Sequence, residues 1–179
     1  MTITQTRHLM QHTATGSIVV AVLLFWGCGD NSSPSANPPS EVTDAQLYEL
    51  QRAPTEWKTY RFRNDTLVRG GNSAHPDRLF VRYNPTAATQ LDSAGKIRGD
   101  AVFPDSSLIV KDVFTGSTRT VIAYMLKLRN APNAGPDGWV WAETRDDGTP
   151  FISASTKGAG CAPCHSVGID YTRMNDAHP

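Results

Sequence analysis

The chain has 179 residues with 17 basic and 17 acidic side chains, so its formal net charge is zero. No basic patch stands out, which argues against a nucleic acid as a partner. Three cysteines are present, and two of them lie near the C-terminus in the stretch CAPCH. Once an N-terminal segment is set aside, roughly 137 residues remain, a length that suits one folded domain.

The N-terminus has the pattern of an export signal. Arg7 precedes an apolar run over residues 18–26, which is followed by Gly27 and Cys28. A helix of this length rises about 14 Å, whereas a hydrocarbon core is about 30 Å thick, so the run is too short to cross a membrane. A basic start, a short apolar core and a small residue before a cleavage point predict a secretory signal over residues 1–27.

Cys28 resembles the cysteine that receives lipid in bacterial lipoproteins, although Phe25 and Trp26 depart from the usual residues before the cut. The alternative is an ordinary secretory signal cut near Cys28. Both readings predict an exported, periplasmic protein. Gly29 follows the cysteine, which by this resemblance favours a lipid anchor in the outer membrane. The polar, proline-rich residues 28–42 cannot bury enough apolar surface to fold, so we expect a flexible tether there.

The remaining residues, 43–179, are predicted to form a mainly β domain. Residues 43–51 read as a short helix capped by Thr43. Asn84 followed by Pro85 predicts the start of a second short helix, over residues 85–94. We expect an antiparallel sheet with a few short helices, and two neighbouring strands that form a hairpin. The predicted strands are residues 78–83, 106–114, 119–129 and 139–145.

Lys111 has an unusual setting in the second of these strands. The two-residue period of a strand puts Lys111 on one face together with Ile109 and Val113. Periodicity alone favours an ordinary explanation, in which Lys111 lies on an edge strand with its stem over apolar residues and its ammonium in water.

The stretch CAPCH is a haem c attachment pattern. Two thiols at this spacing, Cys161 and Cys164, can bond to the two vinyl groups of one haem, and His165 is then placed to ligate the iron. A disulfide between the two cysteines is possible in an oxidising compartment but gives His165 no role. A zinc site needs four ligands, and only His75 and His178 remain as further histidines after residue 28. The sequence therefore predicts one covalent haem c, with export consistent with its attachment.

The sixth coordination position of the iron decides the functional class. An electron-transfer cytochrome usually has a second axial side chain, and Met125, Met174 and His75 are the candidates. Core packing is the commoner role for a methionine in the middle of a strand, such as Met125. Met174 follows His165 too closely to reach the opposite side of the haem with ease. A haem attachment pattern at the end of a β-rich domain also argues against a simple electron carrier.

The chain resembles the cytochrome P-460 family and the related β-type cytochromes c′. The resemblance covers residues 75–176 and rests on the order of four blocks: HPDRLFVRYNPTAA, FPDSSLIVKDVF, GWVWAE and CAPCHSVGIDYTRMND. It implies a periplasmic antiparallel β protein, usually a homodimer, whose five-coordinate haem iron is held by the histidine at the position of His165. In the hydroxylamine-oxidising members a lysine is also bonded to the porphyrin, and the matching residue is Lys111.

One departure from the family pattern concerns the carboxylate that takes protons from an iron-bound substrate in the hydroxylamine oxidisers. The matching part of this sequence offers Ala123 or Tyr124, and the phenol of Tyr124 is a poor base at neutral pH. Glu143 is the nearest acidic residue in a strand, and we expect it to be exposed on the face that carries Trp139 and Trp141. The departure puts hydroxylamine oxidation in doubt.

Three functions are compatible with these features. The first is haem-dependent redox chemistry on hydroxylamine or nitric oxide, with electrons passed to a periplasmic partner. The second is a nitric oxide-binding or sensing cytochrome without turnover, its open iron site formed partly by Ala123 and Met125. The third is a plain electron-transfer cytochrome c.

Overall fold

The computed structural model describes residues 40–59, 67–68, 78–135 and 137–173, with the backbone alone at residues 67–68. All of these residues belong to one compact unit, which spans residues 37–179. The predicted signal, almost all of the predicted tether and the candidate ligands His75 and Met174 lie outside the described residues. Within the described part of the chain, no helix is both long enough and apolar enough to cross a membrane.

The fold is a single antiparallel sheet of seven strands in the part of the chain that the structure describes. Strands β3 to β7 lie side by side in chain order, and both β1 and β2 pair with the outer edge of β3. This architecture confirms the predicted mainly β fold. The strands are β1 Lys58–Thr59, β2 Leu67–Val68, β3 Arg78–Tyr83, β4 Leu108–Thr115, β5 Thr118–Lys127, β6 Trp139–Thr144 and β7 Pro150–Ile152.

Short helices accompany the sheet. Helix α1 begins after Thr43, whose side chain accepts from the backbone N–H of Gln46, while the Gln46 side chain accepts from the backbone N–H of Thr43. This reciprocal capping box satisfies two backbone donors that the helix itself leaves unpaired. The described helices are α1 Asp44–Arg52, α2 Pro85–Ala88 and α3 Ala162–His165, with a 3₁₀ turn at Ala154–Thr156.

The second predicted helix is shorter than expected. Helix α2 is capped by Asn84 as predicted, but it ends at Ala88 and not near residue 94. Asp92 explains the difference, because its carboxylate accepts from the backbone N–H groups of Ala94 and Lys96 and so forms a turn in place of a helix.

Strands β4 and β5 form the predicted hairpin, which is the centre of the sheet. Their connection is a two-residue turn in which Gly116 has a φ of 61°, a left-handed conformation that glycine adopts without steric cost. Strand β4 also pairs with β3, so Lys111 lies on an interior strand. The edge-strand explanation for Lys111 is therefore wrong.

Each face of the sheet has its own apolar core. We call the face that carries Lys111, Ala123 and Glu143 the Lys111 face, and the opposite face, which helix α1 covers through Leu47, the α1 face. The core of the Lys111 face contains Leu79, Val81, Tyr83, Ala87, Ile97, Ala101, Phe103, Ile109, Trp139 and Trp141. The core of the α1 face contains Leu47, Leu108, Val110, Ile122, Tyr124, Leu126, Ala131, Val140, Ala142 and Ala154.

Candidate functional site

A row of three residues crosses the middle of the Lys111 face. Lys111 on β4 is paired with Ala123 on β5, and Ala123 is paired with Glu143 on β6. Directly paired residues of antiparallel strands project from the same face, and two strand spacings separate Lys111 from Glu143 by about 9.5 Å between Cα atoms. The methyl group of Ala123 therefore forms a shallow floor between a cation and a carboxylate.

Glu143 is buried, with 6% of its surface exposed, so the expectation of an exposed glutamate is wrong. It does lie on the face of Trp139 and Trp141, as the period of the strand predicts. The burial arises because β6 is an interior strand, with β5 on one side and β7 on the other. Burial raises the pKa of Glu143, and the positive charge of Lys111 opposes that rise.

The CAPCH segment lies against this same face. Cys161 is half-buried and packs against the core of the Lys111 face, whereas Cys164 is exposed, and both are free thiols. Burial raises the pKa of Cys161 to about 11; the charge of Glu143 adds to the rise and the charge of Lys111 opposes it. The structure therefore brings the predicted residues Lys111 and Cys161 into one electrostatic environment and adds Glu143 to it.

His165 is held in a defined orientation. Its Nδ1 lies 2.8 Å from the backbone carbonyl oxygen of Tyr171. A carbonyl oxygen can only accept a hydrogen bond, so Nδ1 must carry the proton. In the neutral imidazole the lone pair then resides on Nε2. The imidazole ring of His165 also packs edge to face against the indole of Trp141, with 4.8 Å between the ring centroids. A proton held on Nδ1 by a backbone carbonyl is the arrangement found in histidines that bind a metal through Nε2.

The loop that supplies the Tyr171 carbonyl is tied to the sheet by an ion pair. Lys127, at the end of β5, is 2% exposed and its Nζ donates to Asp170 Oδ1 at 2.8 Å. The other carboxylate oxygen of Asp170 accepts from the backbone N–H of Phe103 at 2.7 Å, and its backbone carbonyl accepts from Trp139 Nε1 at 3.0 Å. Asp170 and Tyr171 both have left-handed backbones, with φ of 43° and 64°. These contacts stabilise a conformation that non-glycine residues otherwise disfavour.

Sequence reasoning missed this ion pair. Lys127 lies two residues from Met125, so it faces the same side of the sheet, and its position opposite Trp139 marks it as unlike a surface lysine. That signal could have been read from the strand period. The partner Asp170 could not, because it follows the haem attachment pattern in a segment without any regular period.

Trp141 has a buried polar atom in the site. Its Nε1 has no hydrogen-bond partner among the described residues. The chain passes very close to this ring at Gly158, where φ is 75° and an added Cβ would lie 2.4 Å from Trp141 Cδ1. Only glycine allows the backbone that leads into Cys161 to approach the indole so closely.

Two other predicted residues lie on β5. Met125 is on the Lys111 face, paired with Ile109 and Trp141, and packs against that core. Tyr124 is on the α1 face, where its hydroxyl lies 2.8 Å from Thr144 Oγ1. Burial raises the pKa of Tyr124 to about 12. Of the two residues offered at the distal position, Ala123 is therefore in the site and Tyr124 is not.

The residues present fit a covalent haem c. Two free thiols with two residues between them and an imidazole with its proton held on Nδ1 are the features such a group needs, and the edge-to-face contact with Trp141 supports the imidazole. Among the described residues, no three His, Cys, Asp or Glu side chains are grouped closely enough to hold a metal ion on their own. A haem iron needs only one ligand from the chain, and His165 can supply it.

Comparisons of the chain with protein-family models and with curated proteins find no match. The family resemblance therefore depends on the sequence blocks given above, and the site on its geometry.

Proposed function

We propose that this chain is an exported mono-haem c protein of the cytochrome P-460 type, with an open distal iron site that acts on or binds small nitrogen species. Hydroxylamine and nitric oxide are the ligands or substrates we propose, with a periplasmic protein as the electron acceptor. A homodimer and a lipid anchor on Cys28 at the outer membrane complete the proposal.

The observation that carries the proposal is the contact between His165 Nδ1 and the Tyr171 carbonyl. It keeps the proton on Nδ1 and the lone pair on Nε2, in a residue that directly follows the second of the two thiols that would hold the haem. A disulfide between Cys161 and Cys164 would have no use for such an orientation. The same contact is also what an iron ligand requires to keep one tautomer.

The haem, when bound, would supply an iron that takes up small ligands and exchanges electrons. The chain's own residues have separate tasks. Cys161 and Cys164 would fix the ring through thioether bonds, and His165 would ligate the iron. Lys111 projects from the same face and would contact or crosslink the porphyrin. Trp141 keeps the imidazole of His165 in place by edge-to-face packing.

Redox chemistry on hydroxylamine is supported by Glu143. A substrate that is oxidised by loss of electrons also loses protons, and a group within reach must accept them. The buried carboxylate of Glu143, on the Lys111 face, would be such a group.

Nitric oxide binding without turnover is the second candidate, and Ala123 favours it. Between Lys111 and Glu143 its side chain presents only an apolar methyl group, which suits a neutral diatomic ligand. A plain electron carrier is the third candidate, with Met125 as the described residue on the Lys111 face that could provide a sixth ligand.

The test is the absorption spectrum of the full chain matured with haem in a bacterial periplasm, in the ferric and ferrous states, before and after nitric oxide. Lys111→Ala is measured beside it, with Lys58→Ala, an exposed lysine on β1, as the matched control. We expect a ferrous main band shifted to the red of ordinary haem c that is lost in Lys111→Ala and kept in Lys58→Ala.

The other outcomes separate the alternatives. A normal high-spin spectrum that responds to nitric oxide and is unaffected by Lys111→Ala would favour gas binding and remove the crosslink. A six-coordinate low-spin spectrum indifferent to nitric oxide would contradict both and leave the electron carrier. No covalent haem at all would overturn the proposal.

A further inference from the structure

We propose that Asp137, in the loop between β5 and β6, is a proton-sensitive switch for the turn at residues 170–171 that orients His165. When Asp137 is protonated, Lys127 remains paired with Asp170 and the turn is kept. When Asp137 is ionised, its carboxylate competes with Asp170 for the ammonium of Lys127, and the turn loosens. The switch itself needs no haem, whereas its consequence for the iron rests on the proposed haem function.

The first argument is the setting of the Asp137 carboxyl group. Both of its oxygens are buried, and neither has a hydrogen-bond partner among the residues that the structure describes. Burying an ionised carboxylate without such partners costs far more free energy than burying the neutral acid. The setting therefore favours the protonated form of Asp137.

The second argument is the chemistry of the polar atoms nearest to this carboxyl group. A Cβ added at Gly135 would lie 2.7 Å from Asp137 Oδ1. It would also lie 3.3 Å from the carbonyl oxygen of Lys157 and 3.4 Å from that of Trp139. The three oxygens thus surround one small region of the loop. Carbonyl oxygens only accept hydrogen bonds, so they cannot stabilise a carboxylate, whereas a protonated Asp137 has an O–H group to donate.

The third argument is that Lys127 is already in contact with both aspartates. Its Nζ donates to Asp170 Oδ1 at 2.8 Å and to the backbone carbonyl oxygen of Asp137 at 2.7 Å. Because that carbonyl belongs to the same residue as the carboxyl group, a short movement brings the ammonium to the Asp137 side chain. One ammonium cannot fully compensate two buried carboxylates, so ionised Asp137 and Asp170 compete for it.

The charges around Asp137 determine when it ionises. The charged residues on the elements packed around it are Lys127, Arg129, Lys157, Asp105 and Asp170. Burial raises the pKa of Asp137 above the ordinary aspartate value; nearby backbone N–H groups and the charge of Lys127 oppose the rise, and the charge of Asp170 adds to it. Arg129 is paired with Asp105 at 2.6 Å. Asp137 therefore keeps its proton to a higher pH than an exposed aspartate does.

The step that operates the switch is the loss of one proton. The O–H bond of the Asp137 acid breaks, the proton goes to solvent, and the electron pair stays on the carboxylate. Lys127 then moves toward Asp137, and Asp170 loses the cation that ties it to β5. Asp170 precedes Tyr171, whose carbonyl oxygen accepts from His165 Nδ1, so the change reaches the proposed iron ligand.

The experiment follows the indole N–H resonance of Trp139 by NMR from about pH 4 to about pH 8, a range that begins near the ordinary aspartate pKa. Trp139 Nε1 donates to the backbone carbonyl oxygen of Asp170 at 3.0 Å, so its resonance reports the turn, and Trp57 is the internal control. The proteins are the exported full chain, Asp137→Asn and, as the matched control, Asp100→Asn, because Asp100 is exposed. Bound haem is reduced and saturated with carbon monoxide so that the iron is diamagnetic.

We expect the Trp139 resonance of the wild type to shift with a midpoint above the range of exposed aspartates, while the Trp57 resonance does not follow it. The shift should be absent in Asp137→Asn, whose amide does not titrate, and present in Asp100→Asn. The carboxyl ¹³C resonance of Asp137 in the wild type should titrate with the same midpoint. This last measurement needs no substitution, so it carries the test if Asp137→Asn does not fold.

Urea unfolding at several pH values gives an independent measure. The folded state holds the Asp137 proton more tightly than the unfolded state does, so this group's contribution to stability is present at acid pH and is lost as the pH rises through its raised pKa. The urea midpoint of Asp137→Asn should therefore exceed that of the wild type at neutral pH and differ least from it at acid pH. Asp100→Asn should follow the wild type at every pH.

Two results would overturn the inference. One is an Asp137 carboxyl group that titrates in the same range as the exposed Asp100. The other is a Trp139 resonance that does not change in step with Asp137, or that changes equally in Asp137→Asn. Both results leave the proposed haem function standing. A chain without covalent haem still gives both resonances, so the failure of one proposal is distinguishable from the failure of the other.

Discussion

The two faces of the sheet both bury charged side chains, but they use them differently. On the α1 face, Asp112 accepts from Arg82 Nε at 2.7 Å and from Arg119 Nη1 at 3.0 Å, so its charge is matched in direct contact. On the Lys111 face, Lys111 and Glu143 lie on either side of Ala123, and the charge of Lys111 opposes the rise that burial causes in the pKa of Glu143. The first arrangement links β3, β4 and β5 through charged contacts, whereas the second places a cation and a carboxylate on the face against which Cys161 packs.

The largest expected effect is loss of the proposed haem from the Lys111 face, with the packing of the α1 face unchanged. Replacing both Cys161 and Cys164 with serine in a Lys111→Ala background should abolish covalent haem, because neither a thioether bond nor a lysine–porphyrin bond can form. Cys28→Ser should retain the haem, and if Cys28 is lipidated it should also release the protein from the membrane fraction. Haem staining of denatured protein and the intact mass measure the covalent haem, and fractionation of the cells measures release from the membrane. Haem that remains covalently attached in this triple variant would contradict the assignment.

The next effect tests the α1 face. Asp112→Ala leaves Arg82 and Arg119 without their shared, largely buried carboxylate, and we expect a loss of about 3 kcal/mol in the free energy of unfolding. Asp146→Ala is the control, because Asp146 is an exposed partner of Arg119 and its loss should cost about 1 kcal/mol or less. Urea unfolding followed by circular dichroism gives both values. Equal effects of the two variants would mean that burial does not distinguish these ion pairs.

An intermediate effect concerns the ion pair between Lys127 and Asp170, which stabilises the turn next to His165. Lys127→Met removes the cation from Asp170, and we expect a loss of about 3 kcal/mol because a mostly buried carboxylate is left without its partner. Adding Asp170→Asn should recover part of this stability, since the uncompensated charge is then gone. The recovery distinguishes the ion pair from simple packing of the Lys127 stem, and it is measured as a double-mutant cycle in urea.

A smaller effect separates the two sides of β5. Tyr124→Phe removes the hydrogen bond to Thr144 on the α1 face, and we expect a loss of about 1 kcal/mol. The absorption spectrum of the haem-loaded protein and its response to nitric oxide should not change. A spectral change would mean that Tyr124 acts in the site after all.

The smallest effect is on the reactivity of a thiol in haem-free protein. The raised pKa of Cys161, about 11, predicts slow alkylation at neutral pH that accelerates as the pH rises, because the thiolate is the reactive form. Glu143→Gln should lower this pKa and speed the reaction a few-fold, while Lys111→Met should raise it and slow the reaction. Mass spectrometry of the Cys161 peptide measures the rates. Shifts in the same direction would contradict the electrostatic arrangement of the site.

The sequence predicted the strands of the sheet better than the role of individual charges. The strand over residues 78–83 and the β4–β5 hairpin follow from β-branched residues, alternation and a glycine turn, all of which are local signals. Glu143 was placed on the correct face but was wrongly expected to be exposed. Its burial depends on β7, a three-residue strand that the pattern did not reveal, and on the segment that folds over the face from far along the chain.

The proposed haem attachment residues follow from the spacing of the cysteines and the histidine, but the contact that supports His165 could not be predicted from the sequence. The carbonyl of Tyr171 accepts from its Nδ1 only because Asp170 and Tyr171 adopt left-handed backbones, and Lys127 stabilises that turn from 43 residues earlier in the chain. A pairing so distant in sequence leaves no local pattern. Only the folded sheet brings these groups together.

Lys127 and Lys111 lie on the two strands of one hairpin, so the geometry of the site depends on the register of these strands. A slip of one residue between strands turns every side chain to the opposite face. Such a slip in β5 would take Lys127 away from Asp170 and release the turn that orients His165. A misaligned sheet would therefore not bind the proposed haem in its intended position, and bound haem would then stabilise only molecules whose strands are correctly paired.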